Sequence, residues 1–351
     1  MRKPSGNPNT CYWELTRECD HACLHCRNIP EHSSPLPLHQ ALRLADEIAS
    51  FGVRFVVLTG GEPTLYAGWE KIVQRLSASD VKVRLFLSGS VFDRDVLARA
   101  ADSGVTRYSV SLDGPREIHD RIRVSHRPGV SSFEQARRAI DLITEKGTKL
   151  RVVTQVNRIN IDHLNAVRKL VKEAGVRRWQ VQLCQMSGTA ARSRDALMLE
   201  PEDLHKVVSV LARANESQRI APLHCTIGYM TEEEALFRGR GTGGKAVWKG
   251  CSAGLRTFSI TPAGRLKGCV ALPDSFVTAS WPESSLEEFW SSETAFPYSR
   301  TWNSDLAAGH CAVCELLQLC RAGCPAVAYA ATGSIGVNPY CLRHVRSRME
   351  R

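Results

Sequence analysis

Between Thr10 and Leu183 the chain alternates short apolar runs with amphipathic stretches. The apolar runs predict strands over Cys11–Thr16, Arg54–Leu58, Lys82–Leu87, Thr106–Leu112, Lys149–Val156 and Arg178–Leu183. The amphipathic stretches predict helices near Leu38–Ser50, Trp69–Ser79, Asp93–Ser103, Ser132–Lys146 and Ile161–Ala174. Breaks at Asp80-Val81, Gly104-Val105, Gly147-Thr148 and Gly175-Val176 follow the last four, and three of these are glycine stops of the helix C-cap kind. Six strands alternating with five helices imply an α/β fold with a parallel sheet and right-handed crossovers. In a parallel α/β barrel the chemistry sits on loops that follow the strand C-termini. Beyond the sixth strand, residues 187–200 read as a loop, Pro201–Ala214 as a helix opened by its proline, and Gly239–Gly244 as a flexible link. From about Trp248 the elements shorten, a hairpin signal stands at Thr261-Pro-Ala-Gly264, and cysteines crowd in; this segment is expected to be stapled by metal rather than by a core.

Composition narrows the class. The 351 residues are 43% hydrophobic with scattered charge, an ordinary globular balance with room for one large and one smaller domain. No apolar stretch reaches the about 20 residues that span a bilayer, and Met-Arg-Lys-Pro-Ser-Gly-Asn-Pro-Asn-Thr lacks the apolar core of a signal peptide, so a cytoplasmic protein is expected, with no membrane partner. Thirteen cysteines then argue for metal or redox chemistry rather than disulfides. Ten fall in clustered spacings, leaving Cys11, Cys184 and Cys225. The net charge of +10 is spread along the chain without an aromatic-interleaved basic stripe, which argues against nucleic acid and leaves an acidic peptide open.

Directly after the first strand stands Cys-Asp-His-Ala-Cys-Leu-His-Cys, with Cys19, Cys23 and Cys26. Three thiolates hold three corners of an iron–sulfur cube and leave one iron open to a ligand. A zinc knuckle completed by His21 or His25 is the alternative on these residues alone. After the second strand comes Gly60-Gly61-Glu62-Pro63, two glycines that let backbone approach a ligand and a glutamate for an ammonium group, or simply a strand-to-helix turn. Ser111-Leu-Asp-Gly-Pro115 closes the fourth strand and Arg123 follows, while Leu87-Ser-Gly-Ser90 follows the third. The C-terminal cysteines are Cys251, Cys269, Cys311, Cys314, Cys320, Cys324 and Cys341, four of them spaced C-x2-C-x5-C-x3-C.

The triplet with His25 before its last cysteine, joined to Gly60–Pro63 and the Ser111–Arg123 run, resembles the radical S-adenosylmethionine (SAM) enzymes, and the seven C-terminal cysteines resemble their SPASM extension. The resemblance covers roughly residues 10–345. It implies a partial (β/α)6 barrel with a small Cys-rich SPASM domain, divided as 1–9 (tail), 10–200 (barrel), 201–247 (bridge) and 248–351 (SPASM). It implies three iron–sulfur clusters: one SAM-binding [4Fe-4S] cluster on Cys19, Cys23 and Cys26, and two auxiliary ones. Cys311, Cys314, Cys320 and Cys341 would hold the outer auxiliary cluster, and Cys251, Cys269 and Cys324 the inner, which is open to substrate or closed by a distant group such as Cys225. Gly60, Gly61, Glu62 and Pro63 would bind the SAM amino group, Ser111 and Arg123 its carboxylate, Asp113 would be a turn residue or ribose neighbour, and Ser88 a further hydrogen-bond partner. His25 belongs to the same motif, Leu183 and Met186 would border the adenine, and Cys184 would donate a hydrogen atom to a substrate radical or pack. Cys11 would be core.

By the same resemblance, one electron from the reduced cluster cleaves SAM to methionine and a 5′-deoxyadenosyl radical, which abstracts hydrogen from a substrate carbon while the auxiliary clusters relay electrons. The substrate class implied is a ribosomally made peptide that is crosslinked, oxidised or decarboxylated, with flavodoxin or ferredoxin as reductant. About ten residues precede the first strand, so a separate leader-binding carrier protein or a leaderless substrate is expected. A sulfatase-maturing role is disfavoured because Val270 stands where that subfamily has aspartate. The alternative is a dehydrogenase, epimerase or decarboxylase of a small molecule such as a sugar, aminoglycoside or tetrapyrrole. A non-enzymatic iron–sulfur redox protein, or a zinc-dependent nucleic-acid binder, would leave Glu62, Ser111 and Arg123 without a role.

Overall fold

The computed structural model describes residues 6–27, 34–218, 226–234, 248 and 250–350. Its first eight strands are β1 (Thr10–Thr16), β2 (His21–Cys23), β3 (Phe55–Gly60), β4 (Lys82–Leu87), β5 (Val105–Ser111), β6 (Arg123–Ser125), β7 (Lys149–Val156) and β8 (Trp179–Leu183). Six of these run parallel in the order β1-β3-β4-β5-β7-β8, as the alternation of apolar runs predicts. Between them lie α1 (Leu38–Ser50), α2 (Trp69–Ala78), α3 (Arg94–Ser103), α4 (Arg116–Ile122), α5 (Ser132–Glu145) and α6 (Leu164–Glu173). Each long helix forms because its apolar positions recur on one face: α5 buries Ala136, Ala139, Ile140 and Ile143, and α6 buries Leu164, Val167 and Val171. The Asp93 carboxylate accepts from the Val96 N–H at 2.8 Å and starts α3, and Gly104 ends it at φ 104°.

The strands have two unlike faces. Trp13, Leu58, Leu85, Val110, Val152 and Val181 point to the helices and form the main core. Tyr12, Arg84, Arg107, Arg151 and Gln180 alternate with them on the opposite face and are only half-buried.

The C-terminal segment departs from expectation. Its strands β9 (Thr257–Ile260), β10 (Arg265–Lys267) and β11 (Ala279–Ser280) extend the same sheet, with β9 parallel to β1 and Thr10 opposite Thr257. The hairpin at Thr261–Gly264 forms, Ile260 pairing with Leu266. Phe258, Phe289, Trp290 and Phe296 pack edge-on or tilted around one another, with Phe289 and Phe296 centroids 4.9 Å apart, in a core continuous with that of the α/β part. This segment therefore has apolar support of its own besides its cysteines, because edge β1 offers hydrogen bonds and aromatic side chains fill the seam. Residues 187–200 are also not plain loop: they contain the short helices α7 (Thr189–Arg192) and α8 (Arg194–Leu197), and α9 (Leu204–Gln218) follows Pro201. The glycine-rich link and Cys225 lie outside the described residues. Among the described residues no helix is long and apolar enough to cross a membrane.

Candidate functional site

Cys19, Cys23 and Cys26 leave the C-terminal end of β1, and what fixes them is a pairing too short to show in the sequence. Strand β2 lies antiparallel to β6 with Cys23 directly opposite Arg123, and the Leu24 N–H donates to the Ile122 carbonyl at 2.9 Å. The cysteine loop and the end of the Ser111–Arg123 run are thus held together by backbone. Arg123 Nη1 lies 3.9 Å from Cys23 Sγ. Burial pushes the Cys19 thiol up to about 11 and the Cys23 thiol up to about 12, with the neighbouring thiols adding to each and Arg123 opposing. The protein alone keeps these thiols protonated, and a metal that binds them displaces the protons.

The glycines of Gly60-Gly61 face this loop. A Cβ on Gly60 would fall 2.2 Å from the Thr16 carbonyl oxygen, and one on Gly61 2.0 Å from that of Glu18. The Gly61 and Glu62 N–H groups donate to those same oxygens, each at 2.7 Å. The two glycines therefore serve the close approach of two backbones, a reason the sequence reading assigned to a ligand. Pro63 opens a 3-10 turn, and Glu62, 1% exposed, is turned back to Ser88, whose hydroxyl and N–H donate to Oε2 at 2.6 and 2.8 Å. The Thr64 hydroxyl donates to Oε1 at 3.1 Å. Burial raises the Glu62 carboxyl and these bonds pull it back without cancelling the effect. Ser88 is thus a partner of Glu62.

Ser111 ends β5, 3% exposed, and Asp113 just beyond it is fully buried. The Asp113 carboxylate accepts from Arg123 Nε at 2.6 Å and from the Gln155 N–H at 2.8 Å, so it anchors the arginine. Burial opposes its charge, but Arg123, His25 and His119 outweigh it and hold the carboxyl below its ordinary value. Burial likewise works against the Arg123 charge, and Asp113, Cys23 and Cys19 more than restore it. His25 Nε2 stands 3.6 Å from Asp113; burial lowers its pKa to about 4, so the ring is neutral at pH 7.

Sequence reasoning missed a second brace. The Ala190 N–H donates to the Cys26 carbonyl at 3.0 Å, Gly188 adopts φ 59° against the Arg27 carbonyl, and Arg27 is paired with Glu14 at 2.8 Å. Only a glycine in an otherwise unremarked loop signals it. Cys184 follows β8, its N–H bonded to the Val156 carbonyl at 2.8 Å, and packs, as Leu24 of the cysteine loop also does, against the cluster of Met186, Ala190 and Leu197. Burial, then the Asp113 charge, raises its thiol. Leu183, beside it in the strand, faces the helix-side core. Cys11 is fully buried core.

In the C-terminal segment, the thiols of Cys311, Cys314, Cys320 and Cys341 lie within electrostatic reach of one another: after burial, each of Cys311, Cys320 and Cys341 is raised by others of the set. Cys251 shares a small cavity with Tyr298, Gly323 and Pro325, the two neighbours of Cys324. Tyr298, 3% exposed, feels the charges of Cys251 and Cys269, and its hydroxyl lies against the Gly268 backbone. No three His, Cys, Asp or Glu side chains among the described residues close on one point as a single-ion site requires, and His21 Nε2 is engaged with Gln135 at 3.0 Å. Thiolates of an iron–sulfur cube bind separate irons and need no such convergence. A loop of three thiols with an orphaned His25 Nδ1, and a buried carboxylate and guanidinium beside it, fits a cluster that binds an amino-acid ligand.

Residues 13–171 match the model of the Radical SAM superfamily. The AdoMet-dependent heme synthase of Methanosarcina barkeri is 27% identical over 348 residues, 95% of this chain and 96% of that protein. The mycofactocin maturase MftC of Mycolicibacterium smegmatis is 26% identical over 340 residues, 94% and 81%. Among solved structures, anSMEcpe with bound AdoMet and the Kp18Cys peptide superimposes with a TM-score of 0.76 at 17% identity, over 96% of this chain and 95% of that one. Streptococcus suis SuiB bound to S-adenosylmethionine gives a TM-score of 0.73 at 16% identity, over 95% and 76%. At those identities the two structures speak to the fold.

Proposed function

We propose that this chain is a radical SAM enzyme of the kind that carries a SPASM domain, and that it abstracts a hydrogen atom from a carbon of a ribosomally made peptide and so oxidises, crosslinks or decarboxylates it. The observation that carries the SAM chemistry is the convergence of Cys19, Cys23 and Cys26 with Glu62 and Arg123 at the ends of neighbouring strands. When bound there, a reduced [4Fe-4S] cluster supplies the electron that splits SAM.

The residues divide the remaining work. Glu62, steadied by Ser88 and Thr64, offers a carboxylate to the SAM ammonium. Arg123, oriented by Asp113, and the Ser111 hydroxyl meet the SAM carboxylate. Met186 borders the adenine, Leu183 supports it only from the core behind, and Cys184 returns a hydrogen atom. Cys311, Cys314, Cys320 and Cys341 hold an outer auxiliary cluster; Cys251, Cys269 and Cys324 hold an inner one. A peptide substrate rests on the maturase relative; the heme synthase relative supports a second reading, decarboxylation of a tetrapyrrole side chain.

The test is anaerobic. Reconstituted protein should hold about twelve irons and release 5′-deoxyadenosine from SAM with dithionite, and the Cys19/Cys23/Cys26→Ala variant should keep about eight irons and release none. Release that survives in the variant, or zinc in place of iron, overturns the reading.

Glu62 adds a pH test. Its raised pKa means that SAM affinity falls as pH drops through a value above that of an ordinary glutamate, because only the carboxylate pairs with the ammonium. The unliganded fold responds oppositely, since it prefers the neutral acid and loses stability as pH rises through the same window. Ser88→Ala removes a hydroxyl that favours the carboxylate, so the falling edge of a SAM-binding titration should move to higher pH. An edge that stays in place, or moves down, rules out this pairing.

A further inference from the structure

Three half-buried arginines from three strands meet an exposed fourth, just before β8, on the face of the sheet away from the helices. Arg84 of β4 is paired in register with Arg107 of β5, Ser109 of β5 pairs with Arg151 of β7, and Arg178 stands immediately before β8. By strand alternation all four share the face of Gln155, Gln180 and Gln182, away from the helices. None of them has a carboxylate partner among the described residues. Of the acids on that face, Glu14 is taken by Arg27, Asp113 by Arg123, and Glu62 by Ser88 and Thr64.

What the arginines do have is neutral. Arg151 Nη1 donates to Gln180 Oε1 at 2.7 Å, and Arg107 lies over the Phe55 ring at 5.0 Å. The Nε atoms of Arg84 and Arg151 are buried with no hydrogen-bond partner among the described residues. Burial and then Arg84 depress Arg151 to about 10, with Tyr12 opposing and Arg178 and Arg107 adding to the repulsion. Like charges side by side on adjacent strands repel, so this belt opposes the stability of the empty fold. An arrangement that costs the fold and leaves guanidinium donors unused is what an anion site looks like before its anion arrives.

Its position sets the geometry of that anion. Arg84 and Arg107 each precede by four residues, about 13 Å of extended chain, the Ser88 and Ser111 that stand at the reaction rim. We propose that the belt of Arg84, Arg107, Arg151 and Arg178 binds carboxylates of the substrate, which is therefore a polycarboxylate long enough to reach from the belt to the rim. This rests on the radical SAM reading only for what the substrate meets at the rim. The carboxylates belong to an acidic peptide or to propionate-type side chains of a tetrapyrrole, and the two sources separate by experiment.

Binding is measured by calorimetry with a tetracarboxylic porphyrin, its tetramethyl ester and a glutamate-rich dodecapeptide, on iron-loaded wild type and on Arg84→Gln/Arg151→Gln. One or both carboxylated probes should bind wild type, the ester should not, and the variant should lose about a hundredfold in affinity. Release of 5′-deoxyadenosine from SAM alone should be unchanged in the variant, and its melting temperature unchanged or higher. Porphyrin binding that depends on the arginines assigns the belt to a tetrapyrrole; peptide binding that does so assigns it to a peptide. If neither probe binds, if the ester binds equally, or if the variant binds like wild type or melts lower, the belt is structural and the proposal fails. Loss of SAM cleavage in wild type would instead strike the radical SAM reading.

Discussion

Asp113→Ala should destabilise the protein by about 3–5 kcal/mol and abolish SAM binding. Asp113 is fully buried, and its one full charge partner among the described residues is Arg123, because His25 at a pKa of about 4 carries no proton at pH 7. The alanine leaves a guanidinium 12% exposed with no carboxylate to answer it, and it also strands the Gln155 N–H that donates to Asp113. Domains have about 5–15 kcal/mol in hand, so the variant should fold, with its urea midpoint well below wild type. Freed from Asp113, Arg123 keeps among the described residues only the Cys23 sulfur at 3.9 Å to orient it, and the aim proposed for it at the SAM carboxylate should be lost. Asp113→Asn, which keeps an acceptor for Gln155 but not the charge, should fall between the two. Equal urea midpoints and equal SAM affinity for Asp113→Ala and wild type would show that the pair holds neither fold nor arginine.

That pair marks the border of what the sequence discloses. Strands β1, β3, β4, β5, β7 and β8 are readable because several consecutive residues repeat one burial pattern, and the cysteine triplet is readable because thiols this close in sequence have few other uses. Strands β2 and β6 are three residues each, too short for any period, yet their ladder sets Cys23 beside Arg123 across a gap of 100 residues. Strand β9 hides for a related reason: its partner β1 lies at the other end of the chain, Thr257 pairing with Thr10. The arginine belt was illegible because Arg84, Arg107, Arg151 and Arg178 look like scattered charge until parallel register stacks them. Ser88 and Asp113 stand out in the sequence as candidate site residues, but nothing in their spacing tells that their nearest partners are Glu62 and Arg123.

Gly188→Ala should empty of iron the site proposed to cleave SAM while sparing the clusters proposed for the C-terminal segment. At φ 59° and ψ −135° the backbone of Gly188 is in a region that side chains avoid, and an added Cβ would fall 1.9 Å from the Arg27 carbonyl oxygen and 2.2 Å from its carbon. Both obstacles are backbone, so no rotamer change relieves them. Either the loop before α7 lifts away, breaking the Ala190 to Cys26 hydrogen bond, or residues after Cys26 move and carry its thiol with them. The Glu14 to Arg27 pair, with Glu14 buried, resists the second route, so the strain falls on the hydrogen bond that positions Cys26. Iron should drop by about four per chain and deoxyadenosine release should fall more than about tenfold, with the absorbance of the remaining clusters intact. Gly129→Ala is the control: its φ of 74° is similarly unfavourable, but nothing lies within 4 Å of the new Cβ, so it should cost only about 1–2 kcal/mol of stability and no iron. Equal iron loss in both variants would trace the effect to backbone strain in general. Full iron and activity in Gly188→Ala would mean that the loop after β8 does not hold the cysteine loop at all.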